Sequence, residues 1–269
     1  MRHGTGCGLM ILLFCGLGPA QTVKIAIAPD TLLRTRLESG LVRKESRQAQ
    51  IAALFTEVGC VPEEQQLDRH SGNVICTLPG ASLETIVVGG HFDYAERGTG
   101  VLDDWSGSAL LASLFQSLKN IPRHHTYVFI AFAAEEAGLK GSRKYVGSLS
   151  PEQKKAIVAF VNLECLGAAG PKVWSSHATP VLLTKLEQVA RSIAIPLEGV
   201  NVENIGVDDS SSFRAAKIPV LTLHSVTQQT LHLLHSTSDN LSAIRMEDYS
   251  AAYKLAAYYL AFLDETPIP

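Results

Sequence analysis

Apolar residues recur at helical spacing from Pro29 to Val58, where Leu32, Leu33, Leu37, Leu41, Ile51, Leu54 and Phe55 punctuate a charged stretch, and this predicts one or two amphipathic helices. The next two apolar runs, Asn73 to Pro79 and Glu84 to Gly90, are short and β-branched, with the turn formers Gly80 and Ser82 between them. They predict two strands, expected to be neighbours. Ser106 to Leu118 places Leu110, Leu111, Leu114 and Leu118 on one helical face, and Thr126 to Phe132 is an apolar and aromatic run suited to a strand covered on both sides. Short helices are expected at 138–147 and 151–155, a buried strand at 156–163, and a helix opened by Thr179 and Pro180 that runs to Ile193. A further strand is expected at 218–223, and Met246 to Leu263 reads as a long helix packing through Tyr249, Ala252, Tyr253, Ala256, Leu260 and Leu263. Strands alternating with helices predict an α/β fold, a mixed, largely parallel central sheet with helices on both faces. No repeat or linker interrupts it, so residues 21–269 are expected to form one domain.

Residues 1–20 depart from this pattern. Arg2 precedes the apolar stretch Leu9 to Phe14, and Gly-Leu-Gly-Pro-Ala ends at Ala20, the layout of a secretory signal peptide and too short for a membrane anchor. Cys15 follows the bulky Phe14, unlike the small residue found in bacterial lipoprotein signals. A secreted or periplasmic location is therefore expected. The chain carries 23 Lys and Arg against 26 Asp and Glu, with no basic run and no interleaving of basic and aromatic residues, which makes nucleic acid and anionic membrane surfaces poor partners. Beyond residue 20 the cysteines are Cys60, Cys76 and Cys165. In an oxidising compartment Cys60 and Cys76 can close a loop, which leaves Cys165 as a core thiol.

Chemistry concentrates just beyond the apolar runs, where an α/β sheet opens its active site. His91, Asp103, Glu136, Glu164 and His235 all have metal-ligand chemistry and stand just beyond an apolar run or a turn. In Gly89-Gly90-His91-Phe92-Asp93 an extended backbone puts residues 91 and 93 on one side, so that Asp93 can accept the second ring N–H of His91 and orient it. Asp103 and Asp104 precede a helix, where an aspartate is also a common cap, and spacing leaves open which of them faces a metal. Glu135 and Glu136 follow the most apolar strand. Adjacent carboxylates resist joint ionisation, and nearby cations would relieve them, one binding metal while the other moves protons. Glu164 ends a buried strand, and His235 opens His-Ser-Thr-Ser-Asp239. His224 and His232 are rival imidazoles, with His232 and His235 spaced as a local pair.

Taken together, His-x-Asp at 91–93, Gly-x-x-Asp-Asp-x-Ser-Gly at 100–107, Glu-Glu-x-Gly-x-x-Gly-Ser at 135–142, Asn-Leu-Glu at 162–164 and His-Ser-x-x-Asp at 235–239 resemble the co-catalytic di-zinc exopeptidases of metallopeptidase family twenty-eight. That family includes secreted bacterial aminopeptidases, and the likeness runs from about Asn73 to Ile244. The resemblance implies a zinc exopeptidase-like fold over 21–269 and two zinc ions bridged by Asp103, with His91 and Glu164 on one and Glu136 and His235 on the other. It implies Glu135 as general base, Asp93 and Asp239 as supports, and a peptide as substrate. Two positions depart from the family. Glu164 stands where its aminopeptidases usually have Asp, and Asp208-Asp209-Ser210 stands where Ser-Asp-His is common.

Three functions are compatible with these residues: a secreted zinc aminopeptidase or close exopeptidase relative, a glutaminyl-peptide cyclotransferase working around one zinc, and a catalytically silent binding module of the same fold. Competent residue types at all five ligand positions and at the base argue against the silent module. Metal stoichiometry separates the two enzymes.

Overall fold

The run Thr126–Phe132, apolar enough to be covered on both faces, does become an interior strand. The computed structural model describes residues 8–14, 21–41, 46–95, 97–203 and 206–268, with backbone alone for 8–14 and 21–24. In chain order the elements are strands β1 (Gly8–Phe14) and β2 (Gln21–Ile27), helices α1 (Asp30–Ser39) and α2 (Arg47–Glu57), strands β3 (Glu63–Gln66), β4 (Gly72–Leu78) and β5 (Thr85–His91), helix α3 (Ser106–Leu118) and strand β6 (Thr126–Phe132). There follow α4 (Lys140–Ser148), α5 (Pro151–Ala156), β7 (Ile157–Glu164), β8 (Lys172–Val173), α6 (Pro180–Ser192), β9 (Glu198–Gly199), α7 (Ser210–Ala215), β10 (Val220–His224) and α8 (Met246–Glu265).

The main sheet has the order β3-β4-β6-β5-β7-β10-β8-β9. Its centre, β6-β5-β7-β10, is parallel, and β3, β4 and β8 join it through antiparallel pairings. The expected mixed, largely parallel sheet is therefore present. The expectation that the strands at 73–79 and 84–90 would be neighbours is wrong. The crossover through α3 lays β6 beside β5, and β6 takes the place between β5 and β4, with Val74 opposite Ala131 on one side and Gly90 opposite Ala131 on the other. Local residue pattern encodes a strand but not its partner. The short edge strand β3, Glu-Glu-Gln-Gln, carries no apolar signal and exists by pairing with β4.

Helices cover both faces of the sheet. On one side Phe132, Tyr145, Phe160 and Phe213 form an aromatic cluster under α4 and α7, with Phe160 and Phe213 stacked at 3.8 Å between centroids. On the other lies the larger core of α1, α2, α3, α6 and α8. The expected single packing face of α8 is too narrow. Packed among α3, α6, α1 and β2, it also buries Leu255, Ala257, Tyr258, Tyr259, Ala261 and Phe262. Several of its polar tips find partners in that core: Tyr253 Oη lies 2.8 Å from Ala28 N and 2.7 Å from Ser117 Oγ, and Tyr249 Oη donates to Ser106 O at 2.8 Å.

Cys60 and Cys76 form a disulfide that ties the end of α2 to β4, and Cys165 is free and buried. The expected signal peptide falls partly outside the described residues, at 1–7 and 15–20; between them β1 pairs antiparallel with β2, Gly8 opposite Ile27 and Phe14 opposite Gln21. Among the described residues no helix is long and apolar enough to cross a membrane.

Candidate functional site

The parallel strands β5, β6 and β7 all point their C-terminal ends to one edge of the sheet, and the five ligand-type residues meet there. His91 is the last residue of β5, Glu164 the last of β7, and Glu135 and Glu136 lie in the turn after β6. Asp103 comes from the loop Val101–Trp105, where Asp103 (φ −114°, ψ 94°) and Asp104 (φ −133°, ψ 43°) leave helical geometry before α3 begins. His235 arrives from the long connection between β10 and α8. Asp103 stands at the centre: its Oδ1 is 3.2 Å from His91 Nε2 and its Oδ2 is 3.1 Å from His235 Nε2. Glu164 Oε1 lies 3.4 Å from His91 Nε2, and Glu136 Oε1 lies 3.3 Å from His235 Nε2. Two convergent donor groups result, His91-Asp103-Glu164 and Asp103-Glu136-His235, and they share Asp103. The longer side chain of Glu164 thus still reaches its group, and its other oxygen accepts from Asn162 Nδ2 at 3.0 Å.

The two aspartates left open by spacing have separate tasks. Asp104 is fully buried and accepts the backbone N–H groups of His91 (3.2 Å), Gly107 (3.0 Å) and Cys165 (2.8 Å), so it joins β5, α3 and the end of β7 from within. Glycine makes this possible, because a Cβ on Gly107 would come within 2.5 Å of the Asp104 carboxylate and 2.4 Å of Leu163 O. The orientation of His91 by Asp93 differs from expectation. The Asp93 carboxylate accepts the backbone N–H groups of Glu135 (2.9 Å) and Glu136 (3.1 Å), leaving Oδ1 3.6 Å from His91 Nδ1, whose nearer partner is the Asp93 carbonyl at 3.2 Å. The strand ends at His91, so the side-to-side alternation assumed for residues 91 and 93 does not continue. Asp239 accepts from the N–H groups of Leu102 (2.7 Å) and Asp103 (3.3 Å) and so supports the loop, not His235.

Sequence reasoning missed two further supports. Asn73 on β4 accepts the N–H of Ala133 at 3.0 Å and donates to Gly141 O, bracketing the turn that carries both glutamates. Arg47 donates to the carbonyls of Phe92 and Thr99 and lies over the rings of Tyr94 and Trp105, clamping the segment between β5 and Asp103. The only available signal for either was a polar side chain on an otherwise core-facing position. Left-handed residues that are not glycine adjoin or include the ligand-type residues, Ala134 (φ 56°) before Glu135, Cys165 (φ 49°) after Glu164 and His235 itself (φ 51°), and Leu139 (φ 58°) lines the cavity beside them. Each costs about 1 kcal/mol or more, the kind of local strain that surrounding structure sustains at functional sites.

Charge in the site is unbalanced. Asp103, Glu135, Glu136 and Glu164 face two imidazoles, and among the described residues no Lys or Arg lines the cavity beside them. Burial pushes Glu135 up to about 9, helped by Glu164, Asp209 and Asp103 against the opposing pull of His91. Burial also raises Glu136 and Glu164. Hydrogen bonding to Asp103 lifts His235 to about 9. For Asp103 burial favours the neutral acid, but hydrogen bonds from His235 and His91 outweigh it and hold the carboxylate far below its usual range. Buried carboxylates with nitrogen donors and no basic side chain are a donor set that divalent zinc fits, through nitrogen and oxygen.

A cavity of about 410 Å³ opens beside these residues. Its apolar lining comes from Trp174, Val202, Val207, Val226, Leu231 and Leu234, among others. His224 lines it but belongs to neither donor group; its Nε2–H donates to Val200 O at 3.0 Å and its Nδ1 accepts from Val226 N–H at 3.1 Å. His232 lies on an exposed turn outside both groups. Asp208 accepts from Asn162 Nδ2 (3.1 Å) and Thr222 Oγ1 (2.6 Å), while Asp209 is fully buried and burial pushes it up to about 8. Cys165 is buried and its thiol is raised far above the ordinary range by burial first and by Asp103, Glu164 and Asp104, which makes it a poor nucleophile.

The model of peptidase family M28 matches residues 73–260, and the chain belongs to that family. It is 29% identical over 161 residues to leupeptin-inactivating enzyme 1 of Streptomyces exfoliatus, covering 59% of this chain and 36% of that protein. It is 37% identical over 97 residues to an aminopeptidase of Pseudomonas aeruginosa, covering 36% of this chain and 18% of that protein. The chain thus spans about a third or less of the length of these curated relatives. A crystal structure of a zinc aminopeptidase from Bacillus subtilis superposes with a TM-score of 0.64 at 25% identity, over 71% of this chain and 49% of that one. Glutaminyl cyclase of Porphyromonas gingivalis shares the fold, with a TM-score of 0.70 at 16% identity over 86% of this chain and 96% of that one.

Proposed function

We propose that this chain is a secreted two-zinc aminopeptidase that removes residues stepwise from the free N-terminus of peptides. The observation that carries the reading is the division of Asp103, one oxygen toward His91 and the other toward His235, which makes a single carboxylate common to two donor groups. His91, Asp103 and Glu164 would hold one zinc, and Asp103, Glu136 and His235 the other. Bound there, zinc would polarise the scissile carbonyl and lower the pKa of the attacking water. Glu135, whose Oε2 lies 3.9 Å from His91 Nε2 and which belongs to neither donor group, would take a proton from that water and return it to the departing amine as the C–N bond breaks. Its backbone is pinned through Asp93.

Selectivity follows from the walls. A peptide's ammonium group finds a cluster of carboxylates, and among the described residues no Lys or Arg lines the cavity either to compete with it or to receive a C-terminal carboxylate. The apolar wall favours an apolar first side chain. Secretion is supported by the Cys60–Cys76 disulfide and by the leader-like pattern of residues 1–20. The test is mass identification of the products from peptides offered with a free amine, an acetylated amine, or an N-terminal glutamine. Stepwise loss of N-terminal residues from the free peptides alone is expected. Loss of ammonia from N-terminal glutamine without hydrolysis, or removal of C-terminal residues, would overturn the reading.

A further inference from the structure

At the end of the sheet opposite the active site, a second set of metal-ligating side chains converges. Glu84 immediately precedes β5, and His124 and His125 immediately precede β6; Thr85 pairs with Thr126, so the parallel register brings all three to one edge. The length of β5 separates them from His91, about 20 Å at the rise of an extended strand. His124 Nε2 and His125 Nε2 each lie 3.7 Å from Glu84 Oε2, and the three donor atoms fall within 4.8 Å of one another. The two rings stand edge to face, 4.9 Å apart at 87°.

Both His–Glu separations exceed a hydrogen bond, so the three donors face a common gap instead of bonding to each other. The distances suit a shared ion: ligands 2.0–2.1 Å from a tetrahedral zinc stand about 3.3 Å apart, and Glu84, half exposed, can close the remainder by a small rotation. His125 is also prepared from behind. Its ring is 3% exposed, and its Nδ1 lies 3.2 Å from Oδ1 of Asp264, an oxygen that also accepts the His125 N–H (2.8 Å) while Oδ2 accepts the His124 N–H (2.9 Å). A carboxylate on Nδ1–H fixes the tautomer that leaves the Nε2 lone pair free and aims it outward, as carboxylates behind zinc-bound histidines do. Zinc with Glu84 and Asp264 sums to neutral charge.

We infer that Glu84, His124 and His125 form a peripheral zinc site, with water completing the coordination and Asp264 as its positioning residue. The ion would clip the starts of β5 and β6 together and, through Asp264, to the C-terminal turn of α8. Two imidazoles select zinc, nickel or copper over magnesium and calcium. The inference is independent of the reaction proposed above.

The experiment is equilibrium dialysis of the full-length protein against buffered free zinc in the micromolar range, comparing wild type, His124→Ala and Glu84→Gln. The ring of His124 is 59% exposed, so its removal leaves the core intact. Each variant should bind one equivalent fewer than wild type, with peptide turnover unchanged. Equal zinc counts in all three proteins would overturn the site. A second readout uses wild type alone: carbethoxylation of His124, mapped by mass, should be suppressed by zinc and unaffected by magnesium. Equal modification with and without zinc would also overturn it.

Discussion

The Asp239 carboxylate accepts the backbone N–H of Leu102 at 2.7 Å, joining the segment that carries His235 to the loop that presents Asp103. The two residues are far apart in sequence, and this contact, with a weaker one to Asp103 N, holds the shared carboxylate between two donor groups. Asp239→Ala should therefore weaken zinc binding about 10- to 100-fold although Asp239 belongs to neither donor group. Titration of the variant with a chromogenic zinc competitor checks this, and unchanged affinity would show that the loop holds its shape without Asp239.

Neighbouring glutamates should separate cleanly. Glu135→Gln should retain zinc and lose about 10²- to 10⁴-fold in turnover, the usual cost of removing a general base. Glu136→Gln should instead release zinc from the His235 side, because Glu136 Oε1 lies 3.3 Å from His235 Nε2. Metal analysis and single-turnover rates on both variants distinguish them; a fully active Glu135→Gln enzyme would reverse the roles.

Burial of His224 predicts a pH-dependent stability. Its ring is 1% exposed, both nitrogens are engaged, and burial pushes it down to about 4 from an ordinary 6.5. Above 6.5 the ring is neutral folded or unfolded and adds no slope. Between 6.5 and 4 the unfolded chain takes up a proton that the folded chain refuses, so stability falls with pH through that window, by about 3 kcal/mol in all, and levels off below it. Urea unfolding across this range should show a slope in wild type steeper by up to one proton than in His224→Gln. Equal slopes would mean that the folded protein protonates the ring.

The Cys60–Cys76 bridge closes a short loop, a sequence separation of 16, and its removal in Cys60→Ser/Cys76→Ser should cost about 3 kcal/mol by the chain-entropy estimate. Denaturant midpoints should drop accordingly while turnover persists, since neither cysteine lines the cavity. Identical midpoints with and without the bridge would contradict this.

His91, Glu136 and Glu164 were legible because each stands just beyond a strongly apolar strand, and apolar segments are what single sequences display best, whereas Asp103 and His235 lie in connections and were picked out by their motifs. The order of strands was not legible, because β4 and β5 look alike whether or not β6 lies between them. The division between Asp103 and Asp104 turned on the local backbone of Val101–Trp105, which no spacing rule conveys. Asp93 does meet the His91 ring, but its nearer contact is the backbone carbonyl while its carboxylate accepts the N–H groups of Glu135 and Glu136, since alternation holds only while the strand continues. Arg47, Asn73 and the apolar wall from Trp174 to Leu234 come from distant segments that only the folded chain brings together.

A zinc count set against activity tests the two-metal centre most directly, made in His124→Ala so that the peripheral site contributes nothing. Metal-free protein titrated with zinc should reach full peptide turnover at two equivalents, and the same titration of Asp103→Asn should show both equivalents weakened together. Full activity at one equivalent, or Asp103→Asn retaining two tight ions, would contradict a centre built on one shared carboxylate.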